Sequence, residues 1–171
     1  MIASHFSGRH RYSQEIPALA EYTPMPYVKI WIHLVWSTKN REPYLNDKVR
    51  KRIFQHIFRS ARAKGIFIDH IGGYREHVHC LISLGTEQTL SWIVKQLKGE
   101  SSHWINQGQL VPFHFKWQHE YFAVGVSESL LEKTRSYIRR QEEHHSRKSF
   151  DYEFTQMLEK YGFQKYSDDE N

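Results

Sequence analysis

The sequence predicts an α+β domain, in which a ferredoxin-like or palm-type antiparallel sheet carries helices on one face. Segments with a two-residue hydrophobic period alternate with segments of helical period, in the order β-α-β-β-α-β-α. Two strand segments are separated by only a short turn, which is typical of a hairpin within a split βαβ arrangement. With 171 residues, the chain is long enough to bury one core.

The first strand is predicted over residues 27–36, where alternate apolar residues share one face. These residues are Val28, Ile30, Ile32 and Leu34. Asn46-Asp47 has the character of a helix N-cap, and the helix that follows is predicted to end at Gly65.

The remaining elements follow from the same periodicities. Strands are predicted around the turn Gly72-Gly73, and a capping-box pattern at Ser129 begins a long helix that reaches about His145. The other predicted segments are strands at 66–71 and 78–84, a helix at 88–105, short strands at 113–117 and 121–126, and a final helix at 152–161.

The polar composition of residues 1–26 predicts a disordered N-terminal extension. A single domain is expected over residues 27–163, with the tyrosine helix discussed below at about 128–146. Residues 164–171 are expected to form a flexible tail.

The charge and composition of the chain indicate which classes of partner it can bind. A net charge of +5 and a pI near 9.3 favour a polyanionic partner. The single cysteine, Cys80, excludes an intramolecular disulfide and fits a reducing cytoplasm. The longest apolar run, YVKIWIHLVW, is far shorter than the roughly 20 residues of a membrane helix, so we expect no membrane partner.

Two histidines stand one residue apart in the stretch REHVHCLISL. Side chains two residues apart on a strand point to the same side, so His77 and His79 share one face while Val78 and Cys80 face the helices. Two neighbouring imidazoles form half of a metal site. A hydrogen-bonded surface pair is the alternative interpretation of this pattern.

Tyr137 and Gln141 lie four residues apart in the stretch RSYIRRQEEHH, and on a helix they share one face. The carboxamide oxygen of Gln141 can complete a site of two histidines without adding charge. Such a site leaves positions open for water and phosphate, which favours Mg²⁺ or Mn²⁺ over a closed zinc site. Taken alone, an ordinary amphipathic helix is the simpler explanation of this pair.

Together, the two patterns resemble the single-tyrosine HUH transposases of the smallest bacterial insertion sequences, the IS200-like family, with the REP-associated tyrosine transposases as close relatives. HUH denotes two histidines around a bulky apolar residue, here His77-Val78-His79. The resemblance covers roughly residues 25–163. It rests on five segments in the same order: VKIWIHLVWSTKNREPYL, EHVHCLISL, LSWIVKQLKGESSHWIN, FKWQHEYFAV and YIRRQEEHHSRKSF.

The resemblance implies an HUH endonuclease fold and an enzyme that cleaves and rejoins single-stranded DNA at hairpins through a 5′-phosphotyrosine intermediate. It makes His77, His79 and Gln141 the ligands of Mg²⁺ or Mn²⁺, and Tyr137 the nucleophile. It also implies a homodimer in which the tyrosine helix can act in trans. The expected location is the cytoplasm of a bacterium or archaeon, at the nucleoid when the protein is on DNA.

Cationic residues on helices flanking the site are expected to contact phosphates, and a tryptophan to stack on an unpaired base. These residues are Lys95, Lys98, Trp104, Arg135, Arg139 and Arg140.

Three other functions remain open. They are a domesticated repeat-associated relative acting on palindromic chromosomal repeats, a non-catalytic nucleic-acid-binding protein of the same fold, and a zinc or copper protein. The last is disfavoured because the scattered histidines show no ligand spacing; among them are His5, His10, His33, His56 and His114.

Overall fold

The computed structural model describes residues 27–145 and 149–164. The strands are β1 (Trp31–Ser37), β2 (Phe67–Gly73), β3 (His77–Ser83) and β4 (Phe122–Val126). The helices are α1 (Asp47–Ala63), α2 (Leu90–Gln107), α3 (Leu131–Arg139), α4 (Gln141–His145) and α5 (Phe150–Lys160). The expectations for residues 1–26 and 165–171 lie outside the described residues.

The four strands form one sheet in the order β2-β3-β1-β4, and each neighbouring pair is antiparallel. This topology confirms the predicted α+β class with a ferredoxin-like sheet. Within the described ranges, no helix is both long and apolar enough to cross a membrane.

The main core lies between α1, α2 and one face of the sheet. Ile32, Leu34 and Trp36 of β1 and Val78 and Cys80 of β3 all point into it. They meet the buried stripes of the two long helices, which include Ile53, Ile57, Ile93 and Leu97. The predicted cap of α1 is present, because the Asn46 side chain accepts a hydrogen bond from the Val49 amide at 3.2 Å.

The opposite face of the sheet carries the C-terminal helices. Leu131 and Ile138 of α3 pack on Leu81 of β3, and Phe150 of α5 packs with Val35 of β1. The sequence predicted helices on one face only. The two long helices follow that prediction, and the shorter C-terminal helices cover the second face.

Several local predictions differ from the structure. Gly72 and Gly73, predicted as a turn, belong to β2 and pair with β3, and the turn lies at residues 74–76. β1 begins at Trp31, so Val28 and Ile30 lie before the strand, and each is 45% exposed. Residues 113–117 form no strand; their one ladder contact within the described residues is an isolated bridge between Trp117 and Thr38.

The predicted tyrosine helix is divided. Residues Glu128–Leu130 form a 3₁₀ turn, so α3 starts from Leu130, which makes no side-chain cap, and the capping box predicted at Ser129 is wrong. The helix is interrupted at Arg140 (φ −97°, ψ 19°), and α4 begins at Gln141. The interruption lies between the tyrosine and the glutamine.

A candidate metal and tyrosine site

His77 and His79 lie side by side on the face of β3 that points away from α1 and α2. Both side chains are fully buried, and their ring centroids are 4.9 Å apart in an edge-to-face arrangement. The period-two prediction of their direction is therefore confirmed. The alternative of an exposed surface pair is wrong.

The two nitrogens of His77 face different partners. Its Nδ1 lies 3.1 Å from a carboxylate oxygen of Glu76, and its Nε2 lies 3.1 Å from Oε1 of Gln141. When Nδ1–H donates to Glu76, Nε2 and Gln141 Oε1 become two lone-pair atoms 3.1 Å apart. Such atoms repel unless a cation lies between them, and cis ligands of an octahedral ion with ~2.1 Å bonds stand ~3.0 Å apart.

Glu153 of α5 also reaches this site, and its role was not predicted from the sequence. Its Oε1 lies 3.6 Å from His79 Nε2 and 3.4 Å from the amide nitrogen of Gln141. Ligand atoms of His77, His79 and Glu153 all lie within 4.8 Å of one another. The site therefore offers two imidazole nitrogens, an amide oxygen and a carboxylate.

Burial determines the charge state of this carboxylate. Burial, followed by the nearby negative charge of Glu76, raises the pKa of Glu153 to about 8. A bound cation would favour the ionised form instead. His145, whose side chain is also buried, holds Nε2 2.7 Å from the other oxygen of Glu153.

The α5 helix places Glu153 by a local signal. The Ser149 side chain accepts a hydrogen bond from the Tyr152 amide at 3.3 Å and caps α5, so Phe150 and Glu153 become the buried i, i+3 pair. The final helix was predicted from Tyr152 onward, so the prediction includes Glu153 but omits the Ser149 cap and Phe150.

His33 lies behind His79 on the neighbouring strand. Its Nε2 is 2.9 Å from Nδ1 of His79, and the two rings are nearly parallel at 20°. Burial, followed by the positive charge of Lys160, lowers the pKa of His33 to about 4. The pKa of His79 lies well below its ordinary value, because it is buried and faces other histidines. Both imidazoles are therefore neutral at physiological pH. His79 Nε2 has no hydrogen-bond partner among the residues that the structure describes.

Tyr137 stands beside the histidines of its own chain. Its ring meets His79 edge-on at 5.6 Å and His33 at 6.0 Å between centroids. The ring of His144 lies 5.8 Å away on the other side. The structure thus brings together the four residues that the two sequence patterns singled out: His77, His79, Tyr137 and Gln141.

Two contacts hold the tyrosine helix against β2. Arg135 forms a bidentate ion pair with Asp69, at 2.8 and 2.9 Å, and hydrogen bonding from Arg135 lowers the pKa of Asp69. Gly72 lies directly beneath Ile138, so closely that a Cβ there would overlap the Ile138 carbonyl. A glycine at this position is what permits the close approach of α3.

The residues expected to contact DNA do not form one surface. Lys95, Lys98 and Trp104 are on α2, on the opposite side of the sheet from α3. Lys98 donates to the His119 carbonyl at 2.7 Å, and burial lowers its pKa to about 8. Trp104 stacks on His56 at 4.0 Å.

On the face of the sheet that carries the site, the three arginines expected to contact DNA differ in their exposure and in their partners within the protein. Arg135 is engaged with Asp69, and Arg139 contacts His70 at 2.9 Å. Arg140 is exposed at the break between α3 and α4. Arg139 and Arg140 are thus the members of the set that are exposed near Tyr137.

The fold and the geometry define a class: a ferredoxin-like domain that has a buried histidine–amide–carboxylate centre next to a helical tyrosine. The sequence model described as "Transposase IS200 like" matches residues 26–141. The chain therefore belongs to the IS200-like transposase family. A comparison with curated proteins gives no match.

Two solved structures are similar to the chain. One is the crystal structure of a predicted transposase from Deinococcus radiodurans R1, with 25% identity and a TM-score of 0.56, covering 68% of this chain and 93% of the other. The second is a REP-associated tyrosine transposase bound to a REP hairpin, with 18% identity and a TM-score of 0.54, covering 74% of each chain. At its lower identity, the second similarity shows the fold alone.

Proposed function

We propose that this transposase cleaves and rejoins single-stranded DNA through a covalent bond between Tyr137 and a 5′-phosphate, with the help of a divalent metal. The observation that carries the proposal is the placement of Tyr137 5.6 Å from the ring of buried His79, with Gln141 3.1 Å from His77. A tyrosine, two histidines and an amide oxygen converge in a single chain without a second copy.

The residues that would hold the metal are His77, His79 and Gln141, joined by Glu153. Imidazole nitrogens and oxygens in this mixture suit Mn²⁺ and Mg²⁺, and both ions accept the further oxygen of a phosphate. When bound, the metal would polarise the scissile phosphate and neutralise charge that develops on it. Glu76 would orient His77, since its carboxylate accepts the Nδ1 proton.

The tyrosine carries out the bond exchange. The phenolic oxygen of Tyr137 forms a bond to phosphorus, the bond from phosphorus to the 3′-oxygen breaks, and the leaving 3′-hydroxyl takes up the equivalent of the phenol proton. The phosphotyrosine ester conserves the energy of the broken phosphodiester. A 3′-hydroxyl of another strand can therefore attack it and restore a DNA chain without ATP.

Arg139 and Arg140 are the proposed phosphate contacts near the tyrosine, because both are exposed on α3 or at its end. Lys95, Lys98, Arg135 and Trp104 remain candidates for DNA contact elsewhere, although Lys98, Arg135 and Trp104 have partners within the protein. Of these four, Lys95 is the one exposed residue.

We further propose that the DNA partner contains hairpins and that the active form is a homodimer, in which the tyrosine helix acts in cis or in trans. The REP-associated tyrosine transposase of similar fold is bound to a REP hairpin, which supports the choice of hairpin substrates for this chain. The proposed reaction requires access to the genome, which in a bacterium or archaeon lies in the cytoplasm.

The test is a denaturing gel of wild-type protein with labelled single-stranded hairpin DNA from the flanks of the gene, with Mg²⁺ or Mn²⁺. We expect a covalent protein–DNA band that is absent in Tyr137→Phe and after EDTA, and retained in the control Tyr152→Phe. Binding without a band would favour a non-catalytic DNA-binding protein. A band on genomic palindromic repeats but not on flanking hairpins would favour a domesticated relative.

A further inference from the structure

His33 occupies a position that the spacing of the histidines did not indicate. Because β1 pairs with β3, with Val35 opposite His79 and His33 opposite Leu81, His33 lies diagonally across the ladder from His79 on the same face. The side chains of both histidines are buried, at 8% and 0% exposure. Their nitrogens are 2.9 Å apart, which is a hydrogen bond.

One proton lies between His33 Nε2 and His79 Nδ1. The nitrogen that carries this proton determines whether His79 Nε2 has a lone pair for a metal. If Nδ1 of His79 carries it, the lone pair of His79 Nε2 is free and points toward Glu153 at 3.6 Å. If His33 Nε2 carries it, a neutral His79 must hold its proton on Nε2. In that tautomer Nε2 binds no metal.

The rest of the site favours the first arrangement. If His79 carried its proton on Nε2, this N–H would be buried without a hydrogen-bond partner among the described residues, which costs free energy. The Glu153 carboxylate oxygen is 3.6 Å from Nε2, too far to accept a good hydrogen bond. His77 has the same kind of contact, because the carboxylate of Glu76 lies within hydrogen-bonding distance of its Nδ1. Each histidine of the pair has an acceptor behind it, a carboxylate for one and an imidazole for the other.

We propose that His33 is a positioning residue that accepts the Nδ1 proton of His79 and so presents the Nε2 lone pair of His79 to the metal. This inference deepens the proposed function and rests on its metal site. It concerns which neutral tautomer forms, and no change of protonation state is involved. An imidazole in this place orients the ligand without adding negative charge to a buried centre that already contains Glu153.

The test compares His33→Leu, which removes the acceptor, with His33→Gln, whose amide oxygen is the same number of bonds from Cα as Nε2. His103→Leu, at an exposed position of α2, is the control. Mn²⁺ affinity is measured by the electron paramagnetic resonance signal of free Mn²⁺. The His79 tautomer is read from the ¹⁵N shifts of its ring in metal-free protein.

We expect His33→Leu to weaken Mn²⁺ binding by about 10- to 100-fold, the usual effect of losing an outer-shell partner, and His33→Gln to remain within a few-fold of wild type. In metal-free wild type, the His79 proton should reside on Nδ1, and in His33→Leu it should move to Nε2. Equal losses in both variants, or unchanged affinity in His33→Leu, would overturn the proposal.

A wild-type His79 protonated on Nε2 would also overturn the proposal, even if His33→Leu failed to fold. Absence of Mn²⁺ binding by wild type would instead refute the metal part of the proposed function. The ring shifts of the metal-free protein would still decide the role of His33, so the two failures are distinguishable.

Discussion

Replacing Gly72 by alanine should separate the tyrosine from the histidines without touching either. Gly72 pairs with His79 across the β2–β3 ladder and lies under Ile138 of α3, one residue after Tyr137. A Cβ at this position would overlap the Ile138 carbonyl and stand 2.9 Å from its Cγ2. Relief requires a movement of the helix that carries Tyr137.

The size of that movement follows from the contacts. Carbon atoms pack at about 3.5 to 4.0 Å, so α3 must retreat by about 1 Å. A displacement of about 1 Å can lower the rate of a positioned reaction by about 100-fold. The added methyl group should also lower the free energy of unfolding by about 1 to 3 kcal/mol. We therefore expect Gly72→Ala to stay folded and to form the covalent adduct about 100-fold more slowly.

The assay is the single-turnover rate of covalent adduct formation on hairpin DNA, with urea unfolding measured in parallel. Gly125→Ala is the matched control, because it also lies in a strand but a Cβ there meets nothing within 4 Å. If Gly72→Ala formed the adduct at the wild-type rate, the packing of α3 on β2 described above would not be the arrangement in which the reaction occurs. A helix working in trans would then be the better explanation.

Three further predictions concern buried groups. The pKa of Glu153 is raised from 4.5 to about 8, so in metal-free protein the free energy of unfolding should fall as pH rises through this window. Between pH 5 and pH 8, urea unfolding should show wild type losing about 3 to 4 kcal/mol relative to Glu153→Gln. Equal pH slopes would contradict this. Ser101→Ala should lower the free energy of unfolding by about 1 to 3 kcal/mol, because the buried indole N–H of Trp117 loses its acceptor at 2.9 Å. Ser91→Ala, on the exposed face of α2, is the control and should change the free energy of unfolding little; urea unfolding measures both. Burial raises the pKa of Cys80, so iodoacetamide should alkylate it only in denaturant; rapid labelling of native protein would argue against the packing described.

The histidine pair and the tyrosine–glutamine pair were predictable because each depends on a local period. The two-residue period of a strand sets the direction of the histidines before any tertiary contact forms. The four-residue spacing brings Tyr137 and Gln141 to the same site even though the helix is interrupted between them at Arg140. The α+β class with a ferredoxin-like sheet also followed from the sequence of elements, since a split βαβ arrangement permits few topologies.

The roles of His33, Glu153 and Arg135 depend on contacts between distant parts of the chain. His33 meets His79 through the register of β1 on β3, and no property of residue 33 specifies that register. Arg135 was predicted to contact DNA because it is cationic and flanks the site. Its bidentate pairing with Asp69 becomes visible only when α3 is placed on β2.

Helix α5 covers the candidate site, which has a consequence for access to the two histidines. It supplies Glu153, and its Phe150 lies flat on the ring of His77, with centroids 4.2 Å apart and planes within 8°. His77 and His79 are fully buried in this arrangement. Under the proposed function, a DNA backbone reaches these nitrogens only after the side chains that cover them have moved, and Phe150 on His77 is one of those side chains. On that proposal, substrate entry begins with a movement of α5, and turnover is limited by this movement wherever it is slower than the exchange of bonds at phosphorus.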